Sequence, residues 1–143
     1  MLAALLALTA AALFTGAAVY ISVAEHPARL TLPDSAALAQ WRPSYKAAVP
    51  MQAGLALLAT ALGLWAWLDT RDLWFLLGAL LIFTVVPFTF LVIMPTNARM
   101  LALGADNACP GTRALLLRWG KLHWVRNLFG AAAVAAFLAG LVP

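Results

Sequence analysis

Four stretches of this chain are long enough as helices to cross a hydrocarbon layer, which takes ~20 residues, and all but the start of the fourth are apolar. They run over Met1–Ala24, about Ala47–Leu68, Leu73–Met94 and about Thr112–Val142. Lipid offers no hydrogen bonds to a backbone, so each stretch must satisfy its own amides and carbonyls as a helix. The expected fold is all-α, a transmembrane antiparallel four-helix bundle forming one domain over residues 1–143. The rest of the composition agrees: 65% of the residues are apolar and 10% are charged. A chain of 143 residues cannot hide that much apolar surface in its own core. A soluble domain, a disordered tail and a nucleic-acid arm are therefore excluded. The net charge of +4 describes membrane topology rather than attraction to nucleic acid.

Local signals refine the boundaries. The first span lacks the basic leader and cleavage site of a signal peptide, so it is expected to stay as a helix. It should end at Glu25-His26-Pro27-Ala28-Arg29. Asp34 or Ser35 should cap a short interfacial helix over Ala36–Trp41, between helices one and two. Trp41, Arg42 and Tyr45 are residue types that settle at a membrane–water boundary. Asp69-Thr70-Arg71-Asp72 leaves room only for a tight reversal, flanked by Trp65, Trp67 and Trp74 as an aromatic belt. Pro87 should free the carbonyl of Phe83, with Thr84 and Thr89 near enough to help. Pro95-Thr96-Asn97 reads as a stop, and Thr112 as the N-cap of helix four. The uniformly apolar part of that helix, Leu128–Val142, is short, so Trp119–Asn127 should dip into the membrane or be thinly covered there. One cysteine, Cys109, permits no intrachain disulfide.

The basic residues sort by side. Arg29, Arg42, Lys46, Arg99, Arg113, Arg118, Lys121 and Arg126 gather at one end, and Arg71 lies at the other. The positive-inside rule then expects both long connections in the cytoplasm and both termini outside a plasma or inner membrane.

Polar groups at membrane depth are costly and point to function. Thr15, Ser22 and His26 form one helical stripe, unless the hydroxyls merely bond their own backbone. Trp119, His123, Arg126 and Gly130 share a face on helix four. There Gly130 would admit another backbone or a flat ligand, and Arg126 either serves a site or snorkels to headgroups. An up-down bundle brings the ends of helices one and three and the start of helix four together. Glu25, His26, Asn97, His123 and Arg126 can therefore converge near the basic end.

These residues carry a resemblance. Gly16-Ala17-Ala18, His26-Pro27-Ala28, Trp41, Pro95-Thr96-Asn97 and Arg118-Trp119-x-x-Leu122-His123-x-x-Arg126 occur in that order. The set is similar to the anthrone oxygenase-like family of small four-helix membrane proteins. The resemblance implies oxidation of a flat aromatic substrate: a carbon-bound proton is removed and the enolate reacts with oxygen. It implies a catalytic set of His123, His26, Arg126 and Asn97. His123 is the leading base, and His26 oriented by Glu25 is the alternative. Arg126, Asn97 or an indole N–H would hold the oxyanion. Trp41, Trp119, Glu25 and Tyr45 would contact the substrate.

Other readings use the same atoms. His26, His123 and Glu25 would suit iron, copper or zinc, and a haem between the two histidines is a variant. A non-enzymatic bundle would bind a quinone, lipid or another small aromatic at this end, or act as an accessory subunit, alone or in an oligomer. The readings separate on one feature. An enzyme needs a pocket where both histidines approach within reach of one small molecule, whereas a binding or structural protein has His26 and His123 each bonded to backbone or headgroups, with no enclosed cavity.

Overall fold

The computed structural model describes residues 1–104 and 109–142. It contains four long helices: α1 (Leu2–Leu30), α2 (Asp34–Thr70), α3 (Leu73–Ala102) and α4 (Pro110–Leu141). Each packs along its neighbours in chain order, and α4 closes the ring against α1. All four are long and apolar enough to cross a membrane, so the chain is a multi-pass membrane protein.

Small residues let these helices approach closely, as dispersion must replace the hydrophobic effect between helices in lipid. Ala3, Ala7, Ala10, Ala11 and Ala18 are buried along α1, and Ala56, Ala59, Gly63 and Ala66 along α2. Far from the basic end, the Phe137 ring of α4 sits between Gly63 and Gly78. A Cβ at either glycine would lie 2.8 or 2.6 Å from that ring.

The helices run further than hydropathy suggests, and the reason is the same in two of them. In α1 a π-turn at Ile21–Glu25 lets the His26 amide donate to the Ile21 carbonyl, one residue before Pro27. In α3 a π-turn at Thr89–Ile93 does the same with Met94 and Thr89, one residue before Pro95. A proline has no amide to give and its ring crowds the carbonyl four residues back. A widened turn carries the chain past it without ending the helix. Pro95-Thr96-Asn97 is therefore not a stop, and α1 continues beyond Ala24 to Leu30. Thr84 and Thr89 bond the Leu80 and Val85 carbonyls rather than that of Phe83.

The expected interfacial helix is helical but not separate: residues 34–70 form one element, with Pro43 and Pro50 inside it. The hairpin turn forms as read. Arg71 takes a left-handed conformation at φ 61° and Asp72 caps α3 by accepting from the Trp74 amide at 2.9 Å. Thr112 is not the N-cap of α4. It sits inside the first turn, and its hydroxyl accepts from the amide of Cys109, the actual cap, at 3.1 Å.

Two basic residues close helix ends at the basic end. Arg113 donates to the Leu30 and Leu32 carbonyls at 2.6 and 2.7 Å and pairs with Asp34 at 2.7 Å. Arg42 donates to the Met100 and Leu101 carbonyls at 3.3 and 3.1 Å. Both place positive charge where terminal carbonyls lack amide partners.

Candidate functional site

At the basic half of the bundle the four helices enclose a cavity of about 130 Å³. Phe14, Ile21 and Arg29 of α1 line it, with Trp41, Ser44, Tyr45, Gln52 and Ala56 of α2. Val85, Thr89, Ile93 and Asn97 of α3 and Trp119, His123 and Arg126 of α4 complete the wall. Val49, Ala53 and Phe90 also line it and are exposed on the outside of the bundle. The cavity thus reaches the side of the bundle between α2 and α3.

His123 is 2% exposed. Its Nδ1 lies 3.2 Å from Ser22 Oγ of α1, and its Nε2 lies 3.5 Å from Arg126 NH1. Arg126 does not snorkel: it donates to Gln52 Oε1 at 2.8 Å, and its guanidinium lies 5.4 Å from the Phe14 ring centroid. Thr15 bonds its own helix at Ala11, but Ser22 faces His123. The polar stripe on α1 therefore divides, one hydroxyl local and one joined to the site.

His26 lies beside the cavity rather than on its wall. Its Nδ1 is 3.2 Å from Arg29 NH1, and its Nε2 packs on Gly120 of α4, where a Cβ would come within 2.6 Å. Glu25 does not orient His26. It pairs with Arg29 at 2.5 Å and accepts from Ser44. Arg29, only 2% exposed, also donates to Gln40. The expected association of Glu25 with His26 gives way because the guanidinium is the stronger partner for a carboxylate. Glu25 likewise lies outside the wall of this cavity and lines instead a shallow outer cleft with Tyr20, Ala28 and Gln40.

The aromatic residues form one chain. Tyr45 stacks on Trp41 with centroids 4.8 Å apart, and Trp41 meets Trp119 edge-on at 6.1 Å. Trp119 lies 4.7 Å from the His123 ring and 5.1 Å from that of His26. Trp41 is fully buried rather than an interface anchor, whereas Trp65 and Trp74 are exposed as belt residues should be. Gly130 admits a helix, not a ligand: a Cβ there would lie 2.6 Å from Thr15 Oγ1.

The expected metal set does not assemble. Among the described residues no group of three or more His, Cys, Asp or Glu side chains is placed to hold a metal ion. Glu25 is taken by Arg29 and Ser44, and each histidine already has a polar partner. The Trp119 indole packs against both imidazoles, so the arrangement does not fit a haem held between them.

Several residues that line the cavity also carry a polar atom that is buried without a partner. Trp41 Nε1, Gln52 Nε2, Asn97 Oδ1 and Arg126 Nε are buried without a hydrogen bond. Each such atom costs about 1–3 kcal/mol, and all four sit just behind the cavity surface rather than on it. Gln52, Arg29, Ser44 and Asn127 were not among the expected site residues. Gln52 was detectable as a polar residue inside an apolar span. Asn127 carried the same signal but stood in the polar start of helix four, where it looked ordinary.

Fold and site together define a four-helix membrane protein with an apolar cavity edged by histidine, arginine and unpaired amide and indole groups. The chain belongs to the anthrone oxygenase family, whose sequence profile matches residues 41–136. It is similar to anthrone oxygenase ptaC of Pestalotiopsis fici, 32% identical over 114 residues covering 70% of this chain and 81% of that one. It is similar to anthrone oxygenase tpcL of Aspergillus fumigatus, 40% identical over 57 residues covering 38% and 35% of the two chains. It is also similar to anthrone oxygenase gedH of Aspergillus terreus, 41% identical over 58 residues covering 39% of each chain. No solved structure matches the chain. The family match contains Trp41, Gln52, Asn97, Trp119, His123 and Arg126, and Ser22 and His26 precede it.

Proposed function

We propose that this protein oxidises an anthrone-like fused-ring ketone with molecular oxygen, using His123 as general base. The observation that carries the proposal is the cavity wall, where His123 and Arg126 stand in otherwise apolar surroundings, with the amides of Gln52 and Asn97 and the Trp41 indole close behind. The chemistry of this wall suits a flat apolar ring system with few oxygens, and a fused-ring ligand would extend from the 130 Å³ cavity through the side opening between α2 and α3.

The residues suit the steps. His123 takes a proton from the methylene carbon opposite the ketone, leaving an enolate. Donors at Arg126, Gln52 and the Trp41 indole stabilise the enolate oxygen. Asn97 Oδ1 accepts from a ring hydroxyl. The enolate gives its electron pair to oxygen, forming a carbon–oxygen bond and, with the proton returned, a hydroperoxide. Loss of the second proton on that carbon and cleavage of the O–O bond release water and leave a new carbonyl. One oxygen molecule is consumed and one water is formed for each quinone made.

The test is oxygen uptake by the purified chain in lipid nanodiscs with anthrone. One oxygen consumed per anthraquinone formed, above the spontaneous rate, supports the reading. A bound anthrone that is not turned over favours a binding protein instead, and neither binding nor turnover defeats the reading.

A further inference from the structure

Ser22 and Asn127 do not line the cavity, yet both are buried beside His123, at 7% and 3% exposure. We propose that they are positioning residues, which hold the His123 proton on Nδ1 and so leave the lone pair on Nε2, beside Arg126 at the cavity wall. The inference rests on His123 as the base and deepens that assignment.

The argument is one of donors and acceptors. The Asn127 amide finds partners at both ends in one orientation. Its nitrogen donates to the His123 and Ala18 carbonyls at 3.3 and 3.2 Å, and its oxygen accepts from Ser22 Oγ at 2.8 Å. The single hydroxyl proton of Ser22 is then spent on Asn127. Ser22 Oγ can only accept from the imidazole 3.2 Å away, so Nδ1 must carry the hydrogen. The other ring nitrogen gives the same answer independently. A guanidinium has no acceptor, so Nε2, facing Arg126 NH1 at 3.5 Å, must offer its lone pair. A base needs that lone pair, so a substrate must take the place of the 3.5 Å contact with Arg126, and the wrong tautomer loses activity even where its geometry is intact.

The fold supplies this acceptor through the π-turn at Ile21–Glu25, which contains Ser22. The widened turn that carries α1 past Pro27 thus also contains the hydroxyl that faces α4 at His123. Turns of this kind often mark functional positions.

The experiment uses full-length protein labelled with ¹⁵N-histidine in nanodiscs, with His26→Gln to assign the two rings. Nitrogen shifts and couplings report the tautomer directly. Wild type should show His123 protonated at Nδ1 alone. Ser22→Ala, which removes only a hydroxyl, should give mixed tautomers. With it, kcat on anthrone should fall about tenfold or more at little changed KM. Ser22→Thr should restore both, and Asn127→Leu should repeat the defect. An Nε2-protonated His123 in wild type overturns the inference. So do unchanged tautomer and kcat in both Ser22→Ala and Asn127→Leu. The spectrum decides the positioning role even if wild type does not turn over anthrone, and that second failure counts against the base assignment alone.

Discussion

His26 rests directly on Gly120: a Cβ at that position would lie 2.6 Å from the imidazole Nε2. The contact joins α1 to α4 at the edge of the cavity, and it depends on the absence of a side chain. Gly120→Ala should therefore displace His26 or part the helices, costing about 1–3 kcal/mol by overpacking. Thermal unfolding in detergent should show a lower midpoint. Gly16→Ala and Gly54→Ala are the controls, since a Cβ at either meets nothing within 4 Å. In those helices alanine should be neutral or slightly stabilising.

Glu25 and Arg29 are an unequal pair. Arg29 is almost fully buried and serves Glu25, Gln40 and His26, whereas the Glu25 side chain keeps 22% exposure. Removing the anion strands a cation with a side chain only 1% exposed, whereas removing the cation leaves a partly solvated carboxylate that still accepts from Ser44. Glu25→Ala is expected to lower the unfolding midpoint more than Glu25→Gln, which keeps an acceptor for the buried Arg29. The double variant, Glu25→Ala with Arg29→Ala, should cost less than those two single losses added together.

The side opening between α2 and α3 predicts a separable effect on substrate. Ala53 lines the cavity and is also exposed on the bundle surface. Ala53→Trp should lower kcat/KM for anthrone at least tenfold, about 1.4 kcal/mol, with no loss in the unfolding midpoint. Steady-state kinetics beside a melting curve would check it.

Hydropathy made the spans, the hairpin and the belt tryptophans legible, because lipid exposure selects residue type directly. Ser22, His26 and the polar start of α4 were legible too, as groups that lipid would not tolerate. What sequence could not separate was one residue type serving two ends. Arg42 and Arg113 looked like the exposed Lys46, Arg118 and Lys121, but they cap carbonyls inside the fold. Trp41 looked like an interface anchor, yet it is fully buried. Pro27 and Pro95 looked like helix ends because periodicity does not reveal a π-turn that carries a helix past a proline. Glu25 was adjacent to His26 in sequence, and only the packed helices put Arg29 and Ser44 in reach of its carboxylate.

The central claim is that chemistry belongs to His123, on the cavity wall, and not to His26 behind it. The measurement is kcat for anthrone oxidation by His123→Gln and His26→Gln, each with a melting curve to confirm folding. A lost general base should cost about 10²- to 10⁴-fold in His123→Gln, while His26→Gln stays within about tenfold of wild type, about 1.4 kcal/mol. Full turnover in folded His123→Gln, or the larger loss in His26→Gln, would contradict the account.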